Sequence, residues 1–419
     1  MKIVFIQPNV GFKGHTWEAL GIGYLAAYLK KNYSGTIDID FYSGFYDSDE
    51  QIISAGQKAD IVGFGCTSPQ YKHALNLAKQ IKSNHNHIVF GGIHPTVLPD
   101  LILKEDCIDS VVIGEGEKAV LRLVEDVAKD KKVHKRRYET DYVTNLNDLP
   151  FPDRGAIKNE RNLMQAYHDE GIRITSVLAS RGCPFRCSFC CSRNVWRSQT
   201  RFRSPENLLD EIELLVKDWD VQFLKFSDDT FTVNKQKVLD FCKLKIERGI
   251  KLPYGANAHI NTIDEELLKY LAESGCQELW YGVESGSPRI LKEIHKSTNI
   301  RKIKQVFKLT KEYGIKTRAY FLLGVPSETI EDINMTEKLC DELQPDMVGF
   351  ALLAPFPTNE YFDYETMADW DWSTFDEYGN DWVSTKTISN KELKNIQQRL
   401  VAKYRDVAAF RQRQSSKRS

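Results

Sequence analysis

Cys183-Pro-Phe-Arg-Cys187-Ser-Phe-Cys190 sets three thiols at the spacing C-x-x-x-C-x-x-C within one short segment. It follows residues 173–179, a run with the length and β-branched content of a buried strand. Thiolates are soft ligands. Three converging from one loop suit an iron-sulfur cluster better than a structural zinc site, which would want a second ligand pair elsewhere. Three protein ligands on a four-iron cluster leave one iron open to a cofactor or substrate. Cys183, Cys187 and Cys190 are therefore the expected metal ligands, and the adjacent Cys191 a spectator.

Downstream of this loop, strand and helix patterns alternate. Strands are expected at 221–226, 254–258, 278–283, 315–323 and 346–353, which with 173–179 makes six strand-helix units. Ser204-Pro205 reads as a cap followed by an N1 proline, and Thr262-Ile-Asp-Glu265 as a capping box on a helix stopped near Gly275. Six units are too few for a closed eight-unit barrel, so a partial (β/α)6 barrel open on one side is expected over 172–360.

Upstream, strands expected at 2–6, 37–42, 60–66, 87–92 and 110–114 alternate with amphipathic stretches such as 18–31 and 70–82. This pattern implies an α/β, doubly wound (Rossmann-like) parallel sheet over 1–140, with ligands at the carboxyl ends of its strands. Those ends carry Pro8, Asn9, Thr67, Ser68, Gly91, Gly92, His94 and Gly114-Glu115-Gly116-Glu117. Small residues there let a broad ligand approach the backbone. Residues 141–171, with Pro150 and Pro152 and no sustained period, read as a linker. Residues 361–419 read as a small α-rich extension: an aromatic and Asp-rich stretch at 361–382, a helix over 390–410, and a solvated basic tail.

The 419 residues carry 57 Lys+Arg against 58 Asp+Glu, a net charge of -1. Such a balance argues against nucleic acid as a partner, since phosphate-binding domains carry a basic excess. No apolar run approaches the roughly 18 residues that span a bilayer, so a cytoplasmic protein is expected. An odd count of nine cysteines does not suit a disulfide framework.

The cysteine loop, with Phe189 before its last ligand, resembles that of the radical S-adenosylmethionine enzymes. In that family the open iron chelates the amino and carboxylate groups of S-adenosylmethionine, and one electron from the reduced cluster yields methionine and a 5'-deoxyadenosyl radical. The resemblance implies a (β/α)6 partial barrel, a [4Fe-4S] cluster, and an electron donor of the flavodoxin or ferredoxin kind. It places Phe189 near adenine. Phe226-Ser-Asp-Asp-Thr230 matches the segment that holds the methionine amine, through Asp228 with Asp229 as its neighbour; the alternative is an Asp pair capping the next helix. Tyr281-Gly-Val-Glu-Ser-Gly-Ser287 matches Gly-x-Glu-Ser-Gly, assigning Glu284 and Ser285 to the cofactor. Leu323-Gly-Val-Pro-Ser-Glu-Thr329 matches an adenine-contacting turn, with Gly324 and Val325. Pro355-Phe-Pro-Thr358 resembles the family's Pro-x-Pro-Gly-Thr. One position departs: relatives carry Arg two residues beyond Asn257, where this chain has His259. His259 can donate a hydrogen bond, more strongly if protonated, but not a bidentate fork. Arg318 is the candidate for the missing charge.

The resemblance extends to the cobalamin-binding domain that precedes the barrel in one large branch of the family. Leu20-Gly21-Ile-Gly-Tyr-Leu-Ala-Ala-Tyr28, Gly91-Gly-Ile-His-Pro-Thr96 and Gly114-Glu-Gly-Glu117 carry it, against the alternative of a flavodoxin-like sheet without its ligand. The Asp-x-His-x-x-Gly motif that ligates cobalt elsewhere is absent; His15 and His94 lack its context, and His94 is expected to order its loop. A cobalamin-dependent methyltransferase follows, moving a methyl from methylcobalamin to an unactivated carbon of a peptide, protein side chain or natural-product precursor after hydrogen abstraction. The rival is a cobalamin-dependent cyclase or rearrangement enzyme without net methylation. Methylthiolation lacks a second cysteine trio, and an iron-sulfur sensor would not need the full set of cofactor segments.

Overall fold

The computed structural model describes every residue except 11–17, 130–132, 134, 358, 368–369, 376, 378–379, 405–406 and 408–419. His15, Thr358 and the basic tail thus lie outside the described residues. The chain divides into two compact units. One comprises Met1–Gln165 with Asp363–Thr374, the other Ala166–Phe362 with Phe375–Ser419.

The first unit is built on a sheet of β1 (Lys2–Gln7), β2 (Asp38–Ser43), β3 (Ile61–Gly65), β4 (His87–Gly91), β5 (Ser110–Ile113) and β6 (Arg136–Glu139). All pairings are parallel, in the order β2-β1-β3-β4-β5-β6. The order reverses between β1 and β3, which opens a crevice at their carboxyl ends. Apolar strand residues such as Ile3, Phe5, Ile61, Val89 and Val112 pack against Leu123 and Val124 of the helix Gly116–Lys129. β6 was not expected: its four residues, Arg-Arg-Tyr-Glu, bury only Tyr138, and it lies at the sheet edge.

The stretch expected as a linker is packed. Ile157 belongs to this unit's core, the Asp153 N–H donates to Gly23 O at 3.0 Å, and the Asp153 carboxylate lies 2.6 Å from the Lys30 ammonium. Beyond it runs a helix, Glu160–Glu170, where no period was read. The expected C-terminal extension is not one piece either, because Asp363–Thr374 groups with the first unit.

The second unit holds β7 (Ile174–Val177), β8 (Ser180–Arg181), β9 (Arg201–Phe202), β10 (Phe223–Phe226), β11 (Tyr254–Ala258), β12 (Cys276–Glu284), β13 (Lys316–Leu323) and β14 (Met347–Leu352). Six of them form a parallel sheet, β14-β13-β12-β11-β10-β7, in the sequential order of a half-barrel. β8 and β9 form a small antiparallel ribbon. Ser204 caps the helix Pro205–Trp219 as expected, accepting from the Asn207 N–H. The cap of Glu265–Glu273 is Asp264, which accepts from the Leu267 N–H. Thr262 instead closes a 3-10 turn and donates its hydroxyl to His259 O at 2.7 Å. No helix among the described residues is long and apolar enough to cross a membrane.

Candidate functional site

The β8–β9 ribbon frames the cysteine loop. At its entry Gly182 has φ +93°, and a Cβ there would strike the Gln199 carbonyl, so no other residue fits. Cys183, Cys187, Cys190 and Cys191 are half-buried thiols, while the other five cysteines are buried. The Cys190 N–H donates to Cys187 O at 3.1 Å, and the Ser188 N–H to Ile294 O at 3.1 Å. The Ser192 N–H points at Cys190 Sγ at 3.5 Å, and Cys183 Sγ lies 3.5 Å from Thr230 Oγ1. Burial pushes the Cys187 thiol up and that of Cys190 up to about 12. A bound cation supplies the charge that would ionise them. Among the described residues no three His, Cys, Asp or Glu side chains converge on a single ion. Three thiols carried by one loop suit a cluster, whose ligands bind separate irons.

The expected S-adenosylmethionine residues fall into two groups. Around the loop, the Phe189 carbonyl accepts from Asn359 Nδ2 at 3.3 Å, and Phe185 stacks on His259 with centroids 3.7 Å apart. His259 Nδ1 accepts the Asn261 N–H at 3.1 Å, which leaves the proton on a buried Nε2 without a partner. Burial and the nearby Lys296 push its pKa down to about 3, so it donates as a neutral imidazole rather than a cation. Glu284 ends β12 at φ +66°, beside an irregular register at Gly282, and its carboxylate lies 2.9 Å from the Lys296 ammonium. Gly282 makes room, since a Cβ there would lie 2.9 Å from Lys296 Nζ. Lys296 also feels the charges of Cys187 and Cys190, which help hold its pKa up against burial. It lines a cavity of about 370 Å³ with Asn261, Pro288, Lys292, Ser297, Thr298 and Asn299.

Asp229 is exposed and accepts from Ser192 Oγ at 3.0 Å. Asp228 is turned inward: it accepts from the Ala179 N–H at 3.1 Å and from the Ser180 hydroxyl, and burial pushes its pKa up to about 6. Asn257 donates to Asp228 O at 3.0 Å. The inner aspartate thus pins the backbone, and the outer one faces the cysteine loop.

Three further residues serve the fold. Ser285 is fully buried, its hydroxyl 3.2 Å from Thr336 Oγ1. Gly324, at φ +93°, donates its N–H to Glu328 Oε2 at 2.6 Å, and Val325 is fully buried. Arg318 does not supply the missing charge. It sits five residues before the end of β13, roughly 16 Å from that end along the strand, beside Glu278 at 3.6 Å, the Trp280 ring and the Tyr320 hydroxyl. Lys296 lies near Cys187 and Cys190, and no local pattern in the sequence marks it.

In the first unit the strand ends meet closely. Gly92 has φ +99°, and a Cβ there would lie 2.8 Å from Cys66 O; the His94 N–H donates to that oxygen at 3.2 Å. Gly91 has no such contact nearer than 3.6 Å, and Gly21 is open. Gly114 and Gly116 face Tyr142 and Leu25 closely, so their smallness serves packing. Glu115 is buried, accepting from the Val143 N–H at 2.7 Å, and Glu117 is buried in the first turn of its helix. Thr67 donates its N–H to Gln70 Oε1 at 3.0 Å, while Gln70 Nε2 donates to Pro8 O at 2.7 Å. The Asn9 N–H donates to His73 Nδ1 at 2.8 Å. Ser68 Oγ lies 2.9 Å from Nδ1 of the fully buried His94. These bonds tie the ends of β1, β3 and β4 into one edge, on which Gly91 is an open position.

The family models for the Radical SAM superfamily and the B12 binding domain match residues 177–340 and 9–124. An uncharacterised methyltransferase of Pyrococcus horikoshii is 30% identical over 385 residues, 87% of this chain and 83% of that protein. The anaerobic magnesium-protoporphyrin IX monomethyl ester cyclase of Rubrivivax gelatinosus is 32% identical, covering 86% of this chain and 69% of its own length. Among solved structures, the radical S-adenosylmethionine methyltransferase TsrM of Kitasatospora setae, with cobalamin and a [4Fe-4S] cluster bound, has the same fold. Its TM-score is 0.70 at 16% identity, over 86% of this chain and 76% of that one. The two matched domains imply a [4Fe-4S] cluster, S-adenosylmethionine and cobalamin, and the chain belongs to the radical S-adenosylmethionine enzymes that carry an N-terminal B12-binding domain.

Proposed function

We propose that this enzyme transfers a methyl group to an unactivated carbon. The cofactors supply the chemistry when bound: the cluster and S-adenosylmethionine a carbon radical, the corrinoid the methyl group. The chain's own residues bind, orient and exclude water. Cys183, Cys187 and Cys190 hold the cluster. Asp229 receives the methionine amine, and Lys296, held by Glu284, provides the positive charge that His259 lacks. His259 donates from Nε2 beneath Phe185. The first unit's β1, β3 and β4 ends hold the corrinoid, and a flavodoxin- or ferredoxin-like protein delivers the electron.

The observation that carries this reading is the similarity, over 87% of the chain, to a methyltransferase, joined to matches for both cofactor domains. More distant relatives at 24% identity are methyltransferases named for a cytidylyl-hydroxyethylphosphonate and for bacteriochlorophyllide d. These names add tetrapyrroles and nucleotidyl phosphonates to peptides and natural-product precursors as substrates worth testing. A second reading, cyclisation without net methylation, is favoured by the 32% identity to the Rubrivivax cyclase.

The test is anaerobic reconstitution with methyl-deuterated S-adenosylmethionine and each substrate class. Deuterated methyl in the product, with 5'-deoxyadenosine and S-adenosylhomocysteine, supports methylation. Deoxyadenosine with an unlabelled, ring-closed product supports the cyclase, and turnover without cobalt defeats both.

A further inference from the structure

One face of β12 and β13 packs on helices, which form the outer layer of a barrel. On that face Tyr281 meets Phe307 of the helix Ile300–Glu312, with ring centroids 5.1 Å apart, and its hydroxyl lies 2.9 Å from Thr310 Oγ1. Side chains alternate across a strand. Glu278 and Trp280 therefore belong to the inner face of the half-barrel. The register carries Arg318 and Tyr320 there too, since Trp280 pairs with Arg318 and Gly282 with Tyr320. The row of Trp280 and Arg318 continues to Asn257 on β11, the residue that donates to Asp228 O. Two strand spacings, about 10 Å, separate the Cα atoms of Asn257 and Arg318. Arg318 thus lies far from the end of its own strand but level with a residue that adjoins the cysteine loop's aspartates. Tyr320 lies next in register to Gly282, the position beside which the Lys296–Glu284 pair sits.

The Arg318 guanidinium is held in place but not satisfied. One of its N–H groups reaches the Tyr320 hydroxyl at 3.2 Å, and another the Met347 sulfur at 3.1 Å, a weak acceptor. Its Nε has no hydrogen-bond partner. Glu278 stands 3.6 Å away, and the two side chains remain 23% and 22% exposed, open to a ligand. Trp280 Nε1 donates to Glu278 Oε2 at 3.0 Å, and the Trp280 ring lies 5.3 Å from the guanidinium carbon. Gly255 leaves space for that ring, because a Cβ there would lie 2.9 Å from Trp280 Cζ2. Tyr320 accepts from Arg318 and so keeps its own proton to donate.

We infer that Arg318 and Tyr320 form a subsite for a carboxylate of the substrate on the inner face of the half-barrel. A planar carboxylate takes paired bonds from a guanidinium edge and a further one from the Tyr320 hydroxyl. Trp280 and Glu278 fix the guanidinium for that contact. The substrate is then an acid whose carboxylate lies on the order of 10 Å from the reacting carbon. The inference deepens the proposed methyl transfer and rests on it for the word substrate, but its test needs no turnover.

The test uses the full-length protein with cluster and corrinoid reconstituted anaerobically, and S-adenosylhomocysteine present to fill the cofactor site. Phenylglyoxal, which modifies arginine, reports on Arg318 through peptide mass spectrometry. The probe is 3-phenylpropionate, with 3-phenylpropionamide as its uncharged control. Arg318 should react with phenylglyoxal, and 3-phenylpropionate well above its Kd should slow that reaction about tenfold. The amide should leave the rate unchanged, and Tyr320→Phe should weaken the protection by the acid. Absence of protection by the acid, equal protection by acid and amide, or an Arg318 that never reacts overturns the inference. Protection by S-adenosylhomocysteine alone also overturns it and returns Arg318 to the cofactor. Failure of methyl transfer would leave every one of these readouts in place, so the two proposals fail separately.

Discussion

Glu284 occupies a left-handed backbone position, φ +66°, with its carboxylate 2.9 Å from the Lys296 ammonium. A non-glycine residue in that region costs of order 1–3 kcal/mol, and here the surroundings fix it: the side chains are only 11% and 8% exposed and Gly282 leaves them room. Removing one partner leaves an uncompensated buried charge. Lys296→Met should therefore lower the stability of cluster-free protein by about 3–5 kcal/mol, measured by denaturant unfolding. Glu284→Gln/Lys296→Met should recover much of that stability while still failing to cleave S-adenosylmethionine.

The two aspartates after β10 should separate by phenotype. Asp228→Asn places an amide N–H₂ against the Ala179 N–H or the Ser180 hydroxyl and should cost about 1–3 kcal/mol. Asp229→Asn should leave the unfolding midpoint close to wild type but weaken S-adenosylmethionine binding, as read by calorimetry on the reconstituted protein. The reverse pattern would restore Asp228 as the amine ligand.

Cys183→Ala, Cys187→Ala and Cys190→Ala should each lose the [4Fe-4S] iron and the cleavage of S-adenosylmethionine. Cys191→Ala should retain both. Iron and sulfide analysis after anaerobic reconstitution, with deoxyadenosine quantified by mass spectrometry, checks each one.

Glu328 makes stability depend on pH. Burial pushes its pKa from 4.5 up to about 8, so the folded protein holds a proton that the unfolded chain gives up. Its contribution is fully present below pH 4.5 and is lost as pH rises towards 8, by an amount of order a few kcal/mol. Glu328→Gln keeps an acceptor for the Gly324 N–H and should flatten this part of the profile. Denaturant midpoints at pH 5.5 and 8, for wild type and variant, measure the difference.

The strands were readable because buried parallel strands are short apolar runs between turn signals, and β11 was located residue for residue. β6 escaped because an edge strand with two arginines has no such pattern. Residues 141–171 were misjudged because their lack of periodicity hid Ile157 and the Asp153–Lys30 pair, which only the fold brings onto the first helix. At the site, motif spacing points to Glu284 and the cysteines. It does not tell Asp228 from Asp229, since the direction of each side chain depends on what Ser180 and Ser192 offer. Arg318 offers a visible charge, but its height along β13, five residues before the strand's end, is not legible in sequence.

The route of the chain has a consequence for biosynthesis. The first unit draws one of its pieces from residues 363–374, so the ribosome must make nearly nine-tenths of the 419 residues before that unit has all its parts. Domains generally fold as units, N-terminal first, as they emerge. Here the N-terminal unit must wait without residues 363–374 while the barrel is synthesised. Excising residues 1–165 as a minimal corrinoid carrier would make that waiting state permanent.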